Sequence, residues 1–302
     1  MRALARMDHI DRAVEAIALD RVSGASELAL RALRLLSRAR PLRDAPAGDY
    51  RRDIRALARR IGRARPAMAP IRAVTERFLY GIAGGRAHDA RAACRIACAA
   101  AAAIEHELLG TTPAVAKRFA GRFDRMRRPL VISYSSQVIA AIEATPRRRG
   151  RITVCESRPR FEGRRTARVL ATHGRSVTVV TEAQIATAAG DCDCALLGSD
   201  AIFADGSVRN KSGSYLVALA CRERSLPVII LGDRFKMSDK TPGGETHAPQ
   251  EVWRSAPPGV RVQNEYFEHV PAGLIDYIIL ESGVYRPRNL RDLWEKERKI
   301  RA

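Results

Sequence analysis

The residues of this 302-residue chain best suited to chemistry lie where apolar runs give way to polar turns. Ser133-Tyr134-Ser135-Ser136 closes the run that begins at Leu130 and opens an amphipathic segment. Hydroxyls and backbone amides at a helix N-terminus bind anions well, so a phosphate is a natural guest, although Ser135 or Ser136 could equally serve only as a helix cap. A second run ends in Cys155-Glu156-Ser157-Arg158, placing Glu156 and Arg158 two residues apart as a polar-ligand clamp or a surface ion pair. A third run, CALLG, leads to Asp200, a tight turn at Asp205-Gly206, and then Asn210-Lys211 just before a helix opened by Gly and Ser. A lysine there opposes the helix dipole, which predicts a compensating negative group, either a ligand phosphate or Asp200. Lys236 follows a fourth run, PVIILG, at the edge where the other groups are expected to converge.

These groups need a scaffold, and the chain has the material for one. With 46% hydrophobic residues it can bury a core, and its length allows two domains. The net charge is +20, with the first 130 residues carrying +14 of it. A polyanion-binding protein is therefore one reading, but only six of the 53 basic residues are lysine and aromatic residues make up 5% of the chain. Arginine-rich codon usage and a solvated surface account for the charge without a nucleic-acid partner, and no RNA- or DNA-reading motif is present. No stretch reaches the roughly 18 apolar residues of a membrane span, and the N-terminus lacks a signal-peptide core, which predicts a cytoplasmic protein. The six cysteines do not form a disulfide framework. Neither Cys94/Cys98 nor Cys192/Cys194 has zinc-type spacing, so structural thiols, no metal and no cofactor are expected.

Residues 1–128 read as a helical domain. Ser26 is the expected cap of LALRALRLLSRA, with Glu27 near the positive end; further helices are expected over Asp53–Gly62, Ile71–Ile82 and Ala87–Glu107, then a short basic segment to Arg128. Residues 129–302 change texture, with runs LVIS, RITVC, SVTVV, CALLG, PVIILG and DYIIL. Continuous apolar runs of this length suit strands buried on both faces of a parallel sheet. Helices are expected at Ser135–Ala144, Gly163–His173, Ala183–Ala188 and Gly213–Arg224. The alternation predicts an α/β chain, a helical N-terminal domain followed by a Rossmann-like, mainly parallel three-layer domain whose ligands bind at the carboxyl ends of the strands. Ser238–Val260, rich in Pro and Gly, reads as a mobile loop or lid.

The segments SGASELAL, SYSS, ESRPRFEGRRTA, GSDAIFADGSVRNKSGS, DRFKM and FEHVPAGLIDYIILESGVYRP, in this order, resemble the family that joins the alpha, beta and delta subunits of translation initiation factor 2B with the isomerases of methylthioribose 1-phosphate and ribose 1,5-bisphosphate. The resemblance implies a helical plus Rossmann-like fold and a homodimer. Matched motif to motif, it places the isomerases' aspartate at Asp200, their phosphate-holding pair at Asn210 and Lys211, and a later lysine at Lys236. Their catalytic cysteine falls on Ser133, and their Arg-Gly-Ala phosphate motif on Ser23-Gly24-Ala25. Their Gln-Gly is Glu162-Gly163 here, the form of the factor subunits. An alcohol, unlike a thiol, needs an adjacent base to act, and none is visible in SYSS. The resemblance thus implies a factor-subunit-like, non-catalytic protein that binds a sugar phosphate or nucleotide through Gly24, Ala25, Ser133, Tyr134, Ser135, Glu156, Arg158, Asp200, Asn210, Lys211 and Lys236. The alternatives are an active aldose–ketose isomerase using Asp200 with Ser133, and a basic nucleic-acid-binding protein.

Overall fold

The structure, a computed structural model, describes residues 3–5, 7–20, 23–66, 68–146, 150–239 and 246–301. These fall into two compact units. The first comprises residues up to Gly110 with Phe235–Met237 and Glu295 onward; the second comprises Thr111–Arg234 and Ser238–Trp294.

The first unit is helical: α1 (Met7–Leu19), α2 (Ala25–Arg38), α3 (Ala47–Ala64), α4 (Ala69–Gly81) and the first part of the 33-residue α5 (Ala90–Arg122). Apolar residues at helical spacing bury Leu28, Leu33 and Leu36 of α2 against Ile54, Leu57 and Ile61 of α3 and Ile71 and Phe78 of α4 within one core. Helix α2 begins two residues earlier than expected, with Gly24 in the capping position and no side-chain cap, so Ser26 lies inside the first turn. Glu27 meets Arg31 at 2.7 Å, one turn along. The expected fourth helix and basic segment are one helix, α5, which continues through Pro113. Helix α1 had no counterpart in the sequence reading.

The second unit is built on a seven-stranded sheet. Its strands are β1 (Pro129–Ile132), β2 (Arg151–Cys155), β3 (Ser176–Val180), β4 (Cys194–Leu197), β7 (Val228–Leu231), β9 (Tyr277–Leu280) and β10 (Gly283–Tyr285), in the spatial order β10-β9-β7-β4-β1-β2-β3. All pair in parallel except the edge strand β10. Consecutive side chains point to opposite faces, and over the central strands both faces are dry. Leu130, Ile132, Ala195, Leu197, Val228 and Ile230 pack beneath α8 (Ile185–Ala188) and α9 (Ser214–Glu223); Val131, Val154, Cys194, Leu196, Ile229 and Leu231 pack beneath α6 (Ser136–Ala144) and α7 (Glu162–Thr172). The result is the expected three-layer, Rossmann-like arrangement, with every predicted apolar run a strand of this sheet.

Four short strands escaped the apolar-run criterion. β5 (Ala201–Ile202), β6 (Val208–Lys211) and β8 (Phe267–Val270) form a separate antiparallel sheet, and β10 closes the main one before α10 (Leu290–Arg301). β6 reads VRNK and β8 reads FEHV; both are polar, yet all four residues of β6 are buried. Within the stretch read as a lid, residues 240–245 lie outside the described residues, and Thr246 pairs with Glu265 in an antiparallel bridge.

Gly163 opens α7 directly against the end of β2. A Cβ there would lie 1.8 Å from the Cys155 carbonyl oxygen, too close for any side chain unless the helix moves. Gly163→Ala is expected to destabilise the protein by about 2–3 kcal/mol through overpacking, read as a lower urea midpoint at constant slope.

Candidate functional site

Leaving aside β5, β6 and β8, the parallel strands follow the doubly wound order, and the switch point falls between β1 and β4. The loops at the carboxyl ends of these two strands carry Ser133 to Ser135 and Gly198 to Asp200. They pack closely: a Cβ on Gly198 would stand 2.8 Å from Ser135 Oγ and 3.9 Å from Asn210 Oδ1. The structure therefore brings Ser135, Gly198 and Asn210 together, as the strand-end reading required.

Ser133 has a left-handed backbone (φ 67°), rare for a residue with a side chain. Its amide donates to Ser157 Oγ at 2.7 Å, and its carbonyl accepts from Thr166 Oγ1 at 2.7 Å. Ser157, itself at φ 68°, donates its hydroxyl to the Cys155 carbonyl and its amide to Glu182 Oε1 at 2.7 Å. These bonds hold the turns after β1 and β2 against one another. The Ser133 hydroxyl has no hydrogen-bonded base among the described residues. Ser135 caps α6 by accepting from the Val138 amide at 3.4 Å, and Tyr134 lies under the Arg165 guanidinium at 3.9 Å.

The Glu156–Arg158 clamp is not formed. Glu156 pairs with Arg164 at 2.7 Å, in the first turn of α7, whereas Arg158 turns away to the Val252 carbonyl at 3.0 Å. The intervening turn directs the two side chains apart, which spacing alone could not reveal.

The lysine reading is corrected in its partner. Lys211 is 2% exposed and needs a counter-charge, which Glu162 Oε1 supplies at 3.0 Å. Neither Asp200 nor a ligand is required for this. Asp200 is half-buried, its amide donating to the Arg209 carbonyl at 2.8 Å. The Lys211 ammonium also sits 4.9 Å from the centre of the Tyr266 ring, a cation–π arrangement. The N-terminus of α9 is likewise satisfied internally: Glu268 Oε1 accepts from the amides of Gly213 and Tyr215, both at 2.7 Å. Asn210 Nδ2 donates to Ser214 Oγ at 2.9 Å, and that hydroxyl donates to the Lys211 carbonyl. Glu268 reaches α9 because β8 pairs antiparallel with β6, opposite Asn210. Nothing in the local sequence signals that long-range pairing.

Behind Lys211 the chain from 246 to 266 is strapped down. Tyr266 stacks on His247 with ring centres 3.5 Å apart and donates its hydroxyl to Glu251. Glu251 also accepts from Asn264 Nδ2 at 2.9 Å and Arg160 at 3.0 Å. Burial pushes the Glu251 carboxyl up, but the hydrogen bonds from Tyr266, Asn264 and Arg160 outweigh it and hold the group below its ordinary value.

Three expected ligand residues belong to the first unit. Gly24 caps α2, Ala25 is its first residue, and Lys236 is buried in the short turn Arg234–Lys236. All six cysteines are free thiols, and among the described residues no three His, Cys, Asp or Glu side chains group to hold a metal. Among the same residues no helix is long and apolar enough to cross a membrane.

Doubly wound strand order with a small polar antiparallel sheet inserted after β4 defines a Rossmann-like class of α/β protein. Residues 21–287 match the Initiation factor 2 subunit family, and the chain belongs to it. A protein of Pyrococcus furiosus named as translation initiation factor eIF-2B subunit 2-like is 33% identical over 159 residues, 51% of this chain and 56% of that one. The ribose 1,5-bisphosphate isomerase of Archaeoglobus fulgidus is 33% identical over 150 residues, 46% of this chain and 47% of the enzyme. The matches thus span about half the length of these curated relatives. The crystal structure of the Pyrococcus horikoshii translation initiation factor eIF-2B superposes with a TM-score of 0.79 at 23% identity, covering 94% of this chain and 99% of that one.

Two outcomes follow from this geometry. Glu162→Ala strands a buried ammonium and is expected to destabilise by about 2 kcal/mol, the full cost of a broken buried pair being reduced because the Glu162 side chain is 24% exposed. Glu162→Gln keeps an acceptor and should cost less; equal urea midpoints for both variants and the parent would contradict the pairing. For Glu251, a lowered folded pKa stabilises above the ordinary glutamate range, and that contribution is lost as pH falls through the folded value. Hydrogen-exchange protection factors over 246–266 should therefore drop on acidification from about pH 6 to about pH 3, before those of the central strands.

Proposed function

We propose that this family member is non-catalytic, related to the factor subunits, and binds a sugar phosphate or nucleotide at the β1/β4 switch point. The observation that carries this reading is the Ser133 hydroxyl. It stands where the resemblance places the isomerases' thiol, and no described side chain is bonded to it as a base. An alcohol with a pKa far above neutrality is a poor proton shuttle without one. Asn210, Lys211 and the amides around Ser135 supply a phosphate cradle, with Asp200 facing the sugar hydroxyls and Tyr134, Glu156 and Arg158 on the rim. The Glu162–Lys211 pair supports weak binding, because an entering phosphate must displace or share the carboxylate's hold on the ammonium. Pairing with a second copy of the chain belongs to the same reading and rests on the family resemblance.

An isomerase assay and calorimetry test it together. Neither ribose 1,5-bisphosphate nor methylthioribose 1-phosphate is expected to turn over, and rates of about 1 per second or more would overturn the non-catalytic reading. Ribose 5-phosphate or AMP should bind. Lys211→Ala should weaken that binding about tenfold or more, the loss of one charge-assisted hydrogen bond. Glu162→Gln should strengthen it. Absence of binding by both the parent and Glu162→Gln would overturn the ligand assignment.

A further inference from the structure

The helical unit contains a cleft of about 660 Å³ where the segment after α2 meets α5. Arg40, Arg43, Arg91 and Arg95 line it together with Cys94 and Cys98, and among the described residues no carboxylate does. The volume lies within the range of small-molecule sites. Several arginines elsewhere in this unit face a carboxylate: Arg31 with Asp20 and Glu27, Arg34 with Glu105, Arg52 with Asp49 and Asp53, Arg60 with Asp11. Arg43, Arg91 and Arg95 form no ion pair within 4.0 Å to a described carboxylate. Asp89 lies near enough to Arg95 to feel its charge, but its carboxylate accepts from the Ala92 amide at 2.6 Å. Arg91 and Arg95 are one helical turn apart, a like-charge spacing that is unfavourable on an isolated helix.

One of the four guanidiniums is fixed in place. Arg40 donates through a single nitrogen to the Ser37 carbonyl at 3.0 Å, Cys98 Sγ at 2.7 Å and Cys94 Sγ at 3.4 Å. The Cys98 thiol in turn donates to the Ser37 carbonyl at 3.2 Å. A neutral thiol spends none of the guanidinium's charge, so the cleft keeps a positive field with an anchored donor inside it. Guanidinium groups match oxyanions in geometry as well as charge. The geometry points to a binding site for a small, multiply charged oxyanion of the di- or triphosphate class, separate from the crevice of the second unit.

Cys98 supplies a reporter. It is half-buried in the cleft, and the other five thiols are buried. Alkylation of the full chain by iodoacetamide should modify Cys98 first, and Cys98→Ser should abolish that fast phase. Inorganic tripolyphosphate at tenfold excess over its dissociation constant leaves about one site in eleven open and is expected to slow the fast phase about tenfold. Replacing the exposed pair, Arg43→Ala with Arg91→Ala, should remove the protection while leaving the helical circular dichroism unchanged. Citrate protecting as well as tripolyphosphate would support the same oxyanion cleft with carboxylates as the recognised groups. Unchanged alkylation at millimolar tripolyphosphate would overturn the proposal. So would protection that survives in the double variant, or protection only by a single-stranded oligonucleotide.

Discussion

A lysine ammonium removed from water must be met by a carboxylate, and around Lys211 that requirement organises the second unit. Glu162 can meet it only if α7 starts where it does, and α7 can start there only because Gly163 lets the helix approach the Cys155 carbonyl. Thr166, one turn further on, then holds the Ser133 carbonyl and with it the turn after β1. On the other side, Tyr266 covers the ammonium, and Glu251 pins Tyr266. Removing the charge at Lys211 would leave Glu162 and the strap without the group they enclose.

Under the proposed reading, the same arrangement lets a phosphate site change its character with few substitutions. A positive residue on β6 and a helix N-terminus on α9 are the two features that attract an anion, and here each faces an internal carboxylate, Glu162 and Glu268. A glutamine at 162 would leave a hydrogen bond but no charge, so one side chain sets whether Lys211 is spoken for. In the same proposed reading, chemistry at the neighbouring turn depends separately on whether residue 133 carries a thiol or an alcohol.

The parallel sheet was legible because its strands are buried on both faces and therefore read as unbroken apolar runs, from LVIS to DYIIL. The helices between them followed from their alternation, Asp200 and Ser135 were placed after apolar strands by the same logic, and Asn210 was placed just before α9. The small sheet was not legible. VRNK and FEHV have no apolar pattern, because β6 is buried through ion pairs and hydrogen bonds to partners about 50 residues away. Glu162 stood out in the sequence only as a departure from the isomerases' glutamine, and its contact with Lys211 spans 49 residues. The charge-compensation argument required an anion near Lys211 and was correct in that; its choice of Asp200 or a ligand was the nearest available in sequence, whereas the structure drew on α7. Ser26 was misplaced for a simpler reason: Gly24 serves as well in the extended capping conformation, so the serine was free to enter the helix.

The chain leaves the main sheet after β4, lays down β5 and β6, returns for β7, and only then supplies β8. During synthesis, β1 to β4 and α7 can assemble as soon as they emerge, but β6 lacks its second neighbour until residues 267–270 follow. Until then Asn210 and Lys211 belong to an unpaired edge, and the crevice has a floor without a wall. Closure of so distant a pairing is slow relative to local helix formation. The edge strands β9 and β10 also follow residue 267, so a ribosome stalled there would display β1 to β4 without the strands that complete both sheets.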